Sequence, residues 1–142
     1  MKNSISLLAI YVVIALFVSC SNDNDCNCSE DIYGKWEVKE FMSVESALYA
    51  KNYDYNPVIE FKNNGTYLLQ LDRNNCLGEF EFDGSDNGTI TGASCTKVCC
   101  DSDFSIKFGA MLGQVSSFEI DGDELKLHVS GWGWIVLERI SD

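Results

Sequence analysis

The stretch T-K-V-C-C-D-S-D-F-S-I-K-F-G-A-M-L-G-Q-V-S-S-F-E-I-D-G-D-E-L-K-L, residues 96–127, decides the fold. Within it Phe104, Phe108, Met111, Leu112 and Val115 recur at i, i+4, i+7, i+8 and i+11, one apolar stripe at helical period. Asp101 or Ser102 can cap the start of this helix, and Asp103 suits its positive N-terminal end. Gly113 is a natural stop. A strand, an Asp121-Gly122-Asp123 turn and a second strand follow. No other segment makes a convincing helix; the rest reads as short strands that this one would cover.

Working outward, Gly131-Trp132-Gly133 leads into a closing strand at 134–140. Glycines beside tryptophan mark a bend or a close approach of chains. Upstream, Trp36 and Val38 alternate with Glu37 and Lys39 and open a first strand over 34–42. Residues 43–56 read as a helical turn through Val44, Ala47 and Leu48, then a loop carrying Tyr53 and Tyr55. Strands at 58–62 and 66–72 flank Asn63-Asn64-Gly65, a hairpin signal because Asn and Gly tolerate positive φ. In the next strand, 76–83, Phe80 and Phe82 share one face and Glu79 and Glu81 the other. Asp86-Asn87-Gly88 then turns the chain into a strand at 89–93. With 115–120 and 125–129 the total is about eight strands, joined by Asn/Asp-Gly turns. The expected fold is mainly β: an antiparallel β-barrel or half-barrel with one helix inserted before the last three strands. Closure hides the strand edges, and the helix plugs one open end.

The chain has 142 residues, 46% of them hydrophobic, and a single proline, which is room for one domain and one real core. Its net charge of -12 argues against nucleic acid and against electrostatic docking on anionic lipid. Dispersed acidic residues mean a solvated surface. Seven cysteines in so short a chain point to an oxidising compartment or to metal.

Residues 1–19 read as a secretory signal, with Lys2 in a short charged region and an apolar run over 5–18. That run, about 14 residues, is short of the roughly 20 a membrane span needs. L-F-V-S-C at 16–20 resembles the lipobox of bacterial lipoproteins, in which the chain is cut before a cysteine that then carries acyl chains. Phe17 stands where leucine is usual. Lipidation of Cys20 is thus expected, and its acyl chains would hold the protein to a membrane. Residues 20–31 form the lipidated cysteine and an acidic tether that extends to at most about 35 Å. Residues 32–142 form the β domain. Acidic residues just after the cysteine resemble the surface-export signal of some Gram-negative lipoproteins. With Ser21 next to Cys20 the expected location is the outer membrane, facing outward or toward the periplasm.

G-K-W at 34–36, V-I-E-F-K-N-N-G-T-Y at 58–67, T-K-V-C-C at 96–100 and V-S-S-F-E-I-D-G-D-E-L-K-L at 115–127 resemble the META/HslJ-like family of small bacterial envelope proteins. The likeness covers most of residues 32–140, with Thr96, Lys97 and Cys100 at that family's threonine, basic and cysteine positions. Asn75-Cys76-Leu77-Gly78 departs from it, as a shortened form of the usual glycine-cysteine-asparagine segment. The resemblance implies a compact, lipid-anchored antiparallel barrel, linked in places to stress tolerance; no catalytic residues are established for that family, so none are carried over. G-K-W also resembles the opening of lipocalin-type barrels, where the tryptophan closes the barrel floor.

Beyond Cys20 six cysteines remain: Cys26, Cys28, Cys76, Cys95, Cys99 and Cys100. An even number outside the cytoplasm reads as up to three disulfides. The preferred bond joins Cys76 to Cys99 or Cys100, tying a central strand to the helix mouth. Cys26 and Cys28 can pair together, with Cys95, or between molecules. A thiolate metal site is the rival, but neither C-x-C nor C-C is a paired zinc framework and His128 is the lone histidine. No metal or other cofactor is expected. His128 alternates with the Leu125, Leu127, Val129 face and reads as a solvent-facing strand residue. Glu60, Glu79, Glu81 and Glu124 lie on polar faces or turns, so no buried carboxylate pair for acid–base chemistry is legible. D-G-S-D-N-G at 83–88 is a hairpin turn rather than a calcium loop, having no glutamate at the twelfth position.

Trp36, Phe80, Phe82, Trp132 and Trp134 are the candidate ligand-binding residues; rings of this kind either fill a small barrel or line a cavity. The sequence therefore predicts a non-enzymatic envelope module that engages a protein segment or an apolar small molecule at one barrel end. The alternative is a lipocalin-like carrier with a cavity lined by Trp36, Phe80, Phe82 and Trp134.

Overall fold

The computed structural model describes residues 32–49, 51, 55–83 and 86–141. The expectations placed on the signal and tether, on Cys20, Cys26 and Cys28, and on Tyr53 fall outside these residues. The strands are β1 (Gly34–Met42), β2 (Val58–Phe61), β3 (Thr66–Gln70), β4 (Asn75–Phe82), β5 (Gly88–Ile90), β6 (Ser94–Cys95), β7 (Val115–Asp121), β8 (Glu124–Val129) and β9 (Gly133–Arg139). Among the described residues one α-helix, α1 (Asp103–Leu112), precedes the last three, and a 3-10 turn occupies Ser46–Leu48.

The strands form one antiparallel path, β5-β4-β3-β2-β1-β9-β8-β7. An Asn87–Ser117 bridge and a hydrogen bond from the Phe118 N–H to the Asp86 carbonyl (2.9 Å) bring its two ends together. The result is a nearly closed eight-stranded barrel. The 89–93 strand is broken: β5 and β6 both pair with β4, and the chain between them is held by Thr91. Its N–H donates to the Glu79 carbonyl (2.9 Å), while its hydroxyl accepts from the Glu79 N–H (3.1 Å). A side chain thus stands in for one rung of the ladder. At the β2–β3 hairpin Gly65 takes φ +79°, and Asn64 Oδ1 accepts from the Thr66 N–H (3.1 Å), the local bonding that makes this sequence turn.

Alternation sends one residue in two inward, and those residues fill the barrel. Trp36, Ile59, Phe61, Tyr67, Phe118, Leu125, Leu127 and Ile135 are all fully buried. Helix α1 closes the end reached by the C-terminus of β1: Phe104, Phe108, Met111 and Leu112 face the core, and Phe104 stacks on Phe41 with centroids 4.3 Å apart. Each such side chain contributes about 1.5–3 kcal/mol by leaving water. Ser102 is the cap, its Oγ accepting from the Ser105 N–H (3.2 Å), and the helix stops at Gly113. Val115, the last residue of the stripe, is buried from β7 rather than from the helix.

The opposite end is closed around Trp36. Its Nε1 donates to the Ile32 carbonyl (2.7 Å), and the Arg139 guanidinium lies 4.1 Å from the ring centroid. Arg139 also donates to the Tyr33 carbonyl (3.0 Å), so the chain's entry into the domain is stitched across this end.

Candidate functional site: a groove at the barrel end opposite the helix

Strand β4 carries most of the site. Cys76 and Phe80 point inward, with Gly78 between them, while Leu77, Glu79 and Glu81 point out. Gly78 is paired with Tyr67 across the sheet, and the Tyr67 ring lies where a side chain on residue 78 would be. The Tyr67 hydroxyl donates to the Thr91 carbonyl (2.6 Å), and burial raises its pKa above the ordinary tyrosine value. Beyond Tyr67 a run of rings leads from the core to the β5–β7 seam: Phe61 to Phe80 (4.9 Å), Phe80 to Phe82 (5.2 Å) and Phe82 to Phe118 (4.5 Å). Tyr33 tilts against Phe80 at 6.4 Å.

Above these rings lies a groove of about 680 Å³. Tyr33, Phe80 and Phe82 form its apolar wall, and Asn63, Glu81, Asp83, Asn87, Thr89 and Ser116 form its polar rim. Phe80 is buried, whereas Tyr33 and Phe82 are half-buried and present ring surface to the groove. Among the described residues no lysine, arginine or histidine lines it.

The five aromatic candidates do not form one site. Trp36 is core, packed under Arg139. Phe80 and Phe82 meet in the groove. Trp132 is committed to the helix end: it packs edge-on against Phe41, and its Nε1 donates to Glu45 Oε2 (2.8 Å). Lys107 lies 4.7 Å from the Tyr49 centroid and 5.2 Å from that of Trp132, and its Nζ is 3.4 Å from Glu45. The Trp132 hydrogen bond, then that of Lys107, holds the Glu45 carboxyl below its ordinary value. Trp134 sits on the outer barrel face against His128 (4.5 Å). The lipocalin-like cavity expected from Trp36, Phe80, Phe82 and Trp134 is therefore not formed: these residues lie in the core, in the groove and on the outer face. Met42 and Gly133 explain the bend between Trp132 and Trp134. Gly133 has φ +147°, and a Cβ there would collide with the Met42 carbonyl oxygen.

His128 is half-buried, with Nδ1 3.3 Å from Ser116 Oγ and 3.4 Å from Ser117 Oγ. Among the described residues no carboxylate bonds its ring, so the third member of a nucleophile–base–orienter arrangement is lacking there.

The disulfide departs from expectation. Cys76 is bonded to Cys95, not to Cys99 or Cys100, because the β4–β6 register sets 76 directly opposite 95. Cys99 and Cys100 lie side by side, with their sulfurs turned toward each other. What ties the helix mouth to the β3–β4 turn is polar instead, and its hub is Asn74. The Asn74 Nδ2 donates to the Val98 carbonyl (2.7 Å) and to Asp101 Oδ2 (2.6 Å). Its Oδ1 accepts from the Val98 N–H (2.8 Å) and the Thr96 hydroxyl (2.9 Å). Asp101, one of the two expected caps, accepts from the Arg73 N–H (2.7 Å). Asp72 accepts from the Ser102 N–H (2.5 Å) and the Ser105 hydroxyl (2.6 Å). Burial, the largest single influence, pushes the Asp72 carboxyl up, but the hydrogen bonds from Ser105 and Ser102 together outweigh it and hold the group below its ordinary value.

A filled antiparallel barrel, plugged by a helix at one end and grooved at the other, defines a small helix-capped barrel domain. The chain belongs to the META domain family, whose model matches residues 30–139. Two solved structures share the fold. A DUF4847 family protein from Bacteroides vulgatus is 19% identical, with a TM-score of 0.61 over 80% of this chain and 99% of its own. A protein from Burkholderia xenovorans is 12% identical, with a TM-score of 0.63 over 88% of this chain and 94% of its own. No curated protein matches the sequence.

Proposed function

We propose that this protein is a non-enzymatic binding module of the cell envelope, anchored to the outer membrane through acyl chains on Cys20. Its working surface is the groove at the barrel end opposite α1. The observation that carries this reading is the contrast between a barrel filled with side chains and an open, ring-walled groove at its end. A groove with half-buried aromatics and several polar groups has the composition of a ligand site, and its size is within the roughly 300–1,000 Å³ common for such sites. The buried rings of Trp36, Phe61, Tyr67 and Phe118 occupy the barrel interior, which favours a groove at the barrel end over enclosed cargo. The described residues begin at Ile32, next to Tyr33 of the groove wall, so an acyl anchor on Cys20 would set this end of the barrel toward the membrane. The ligand would therefore be met at the membrane-proximal end, by capture from the envelope.

Site-specific photocrosslinking in cells tests this. A benzophenone side chain replacing Asn63, at the groove rim, should yield a discrete adduct. The same group replacing Ile106, exposed on the helix, should not. Equal labelling from both positions, or adducts from Ile106 alone, would contradict the assignment of the working surface.

A further inference from the structure

We propose that the groove takes a neutral saccharide; the inference rests on the groove being the binding surface and names its ligand class. Three features of the lining carry it. Tyr33 and Phe82 are half-buried rings that line the groove, apolar surfaces of the kind that stack on the C–H face of a pyranose. Around them stand Asn63, Glu81, Thr89 and Ser116, an amide, a carboxylate and two hydroxyls. Together they supply both donors and acceptors, matching a ligand whose every hydroxyl is both. Finally, among the described residues no cationic side chain lines the groove.

The last feature excludes the main rivals. A phosphate, sulfate or carboxylate ligand needs arginine, lysine or converging N–H groups, and here it would meet Glu81 instead. A wholly apolar ligand would strip water from the rim amide, carboxylate and hydroxyls and give them no partners in return. A sugar satisfies both the rings and the rim. The volume of about 680 Å³ accommodates a short oligosaccharide rather than a single small metabolite.

The test is amide chemical-shift mapping on the full chain, isotope-labelled and held in a zwitterionic detergent that carries no sugar headgroup. The probes are maltotriose and triacetylchitotriose (neutral), sialyllactose (anionic), dodecanoate (apolar) and a lysine-rich peptide (cationic). The expected result is a saturable shift of the Gly65, Gly88 and Ser116 amides with a neutral trisaccharide. Tyr33→Ala should weaken that binding by about tenfold, the loss of one aromatic platform, while the dispersed spectrum of a folded barrel is retained. Asn63→Ala, an exposed rim change, gives a second variant whose fold is not at stake. If these amides answer only to dodecanoate, sialyllactose or the peptide, the neutral-saccharide inference is wrong and the groove reading stands. If no probe moves them, both fall.

Discussion

Replacing Asn74 with alanine should loosen the whole helix mouth. The side chain is 8% exposed and makes four hydrogen bonds to the 96–101 segment, one of them to the Asp101 carboxylate. A neutral bond is worth about 0.5–1.5 kcal/mol net and a charge-assisted one about 1.5–3 kcal/mol. Val98 is 53% exposed, so water replaces part of what is lost there. A net cost of about 2–4 kcal/mol follows, which moves the urea midpoint down by roughly 1–2 M for a domain of this size. Unfolding followed by tryptophan fluorescence reads it directly. Asn74→Asp sharpens the test, because it keeps the acceptor but sets a second carboxylate against Asp101. Repulsion raises the folded-state pKa of that pair above the unfolded value of about 3.9. Its penalty is therefore absent below that value and grows as pH rises through the folded pKa, so Asn74→Asp should be worse than Asn74→Ala at pH 7 and close to it at pH 3. A midpoint shift under about 0.3 M for Asn74→Ala, or no pH dependence for Asn74→Asp, would refute the hub.

Three further outcomes are expected. Cys95→Ser, at the exposed partner of the Cys76–Cys95 bond, should cost about 3 kcal/mol by the loop-entropy estimate; urea midpoints that do not change with or without reductant would argue against the bond. Asp72 has a depressed folded-state pKa, so its share of stability is fully present above the unfolded value of about 3.9 and is lost as pH falls through the folded one. Wild type should therefore lose its margin over Asp72→Asn between pH 5 and pH 2, and a constant margin would contradict the cap arrangement. Gly133→Ala should destabilise by more than about 2 kcal/mol, since it combines strained φ with a clash on Met42, whereas Gly92→Ala meets nothing within 4 Å and should be near neutral by the same thermal-melt comparison.

Much of this architecture was legible because barrel and helix obey different periods. Phe104, Phe108, Met111 and Leu112 announce α1, and alternation at Trp36/Val38 and Phe80/Phe82 announces strands that face a core. The broken β5–β6 strand was not legible, because it depends on a threonine hydroxyl taking a backbone role at Glu79. The disulfide was missed for a related reason: β6 is two residues long, too short to show a period, so nothing in the sequence set Cys95 opposite Cys76. The groove was half legible. Phe80 and Phe82 were candidates, but Tyr33 precedes the first strand and Ser116 follows the helix, and only barrel closure brings them together. Asp72 reads as the end of the 66–72 strand and Asn74 falls in the link to the next, and their role, a polar cluster facing a capped helix start, emerges only once the 96–101 segment is folded over them.

The central claim is that this barrel is filled and works from the groove at its end opposite α1. Native mass spectrometry of the purified mature chain tests it most directly. The account predicts the mass of the protein with its acyl chains and disulfides and no retained apolar guest. A stoichiometric apolar adduct that survives purification, and persists when Phe82 is replaced by serine, would mean that the interior opens to hold cargo and would contradict it.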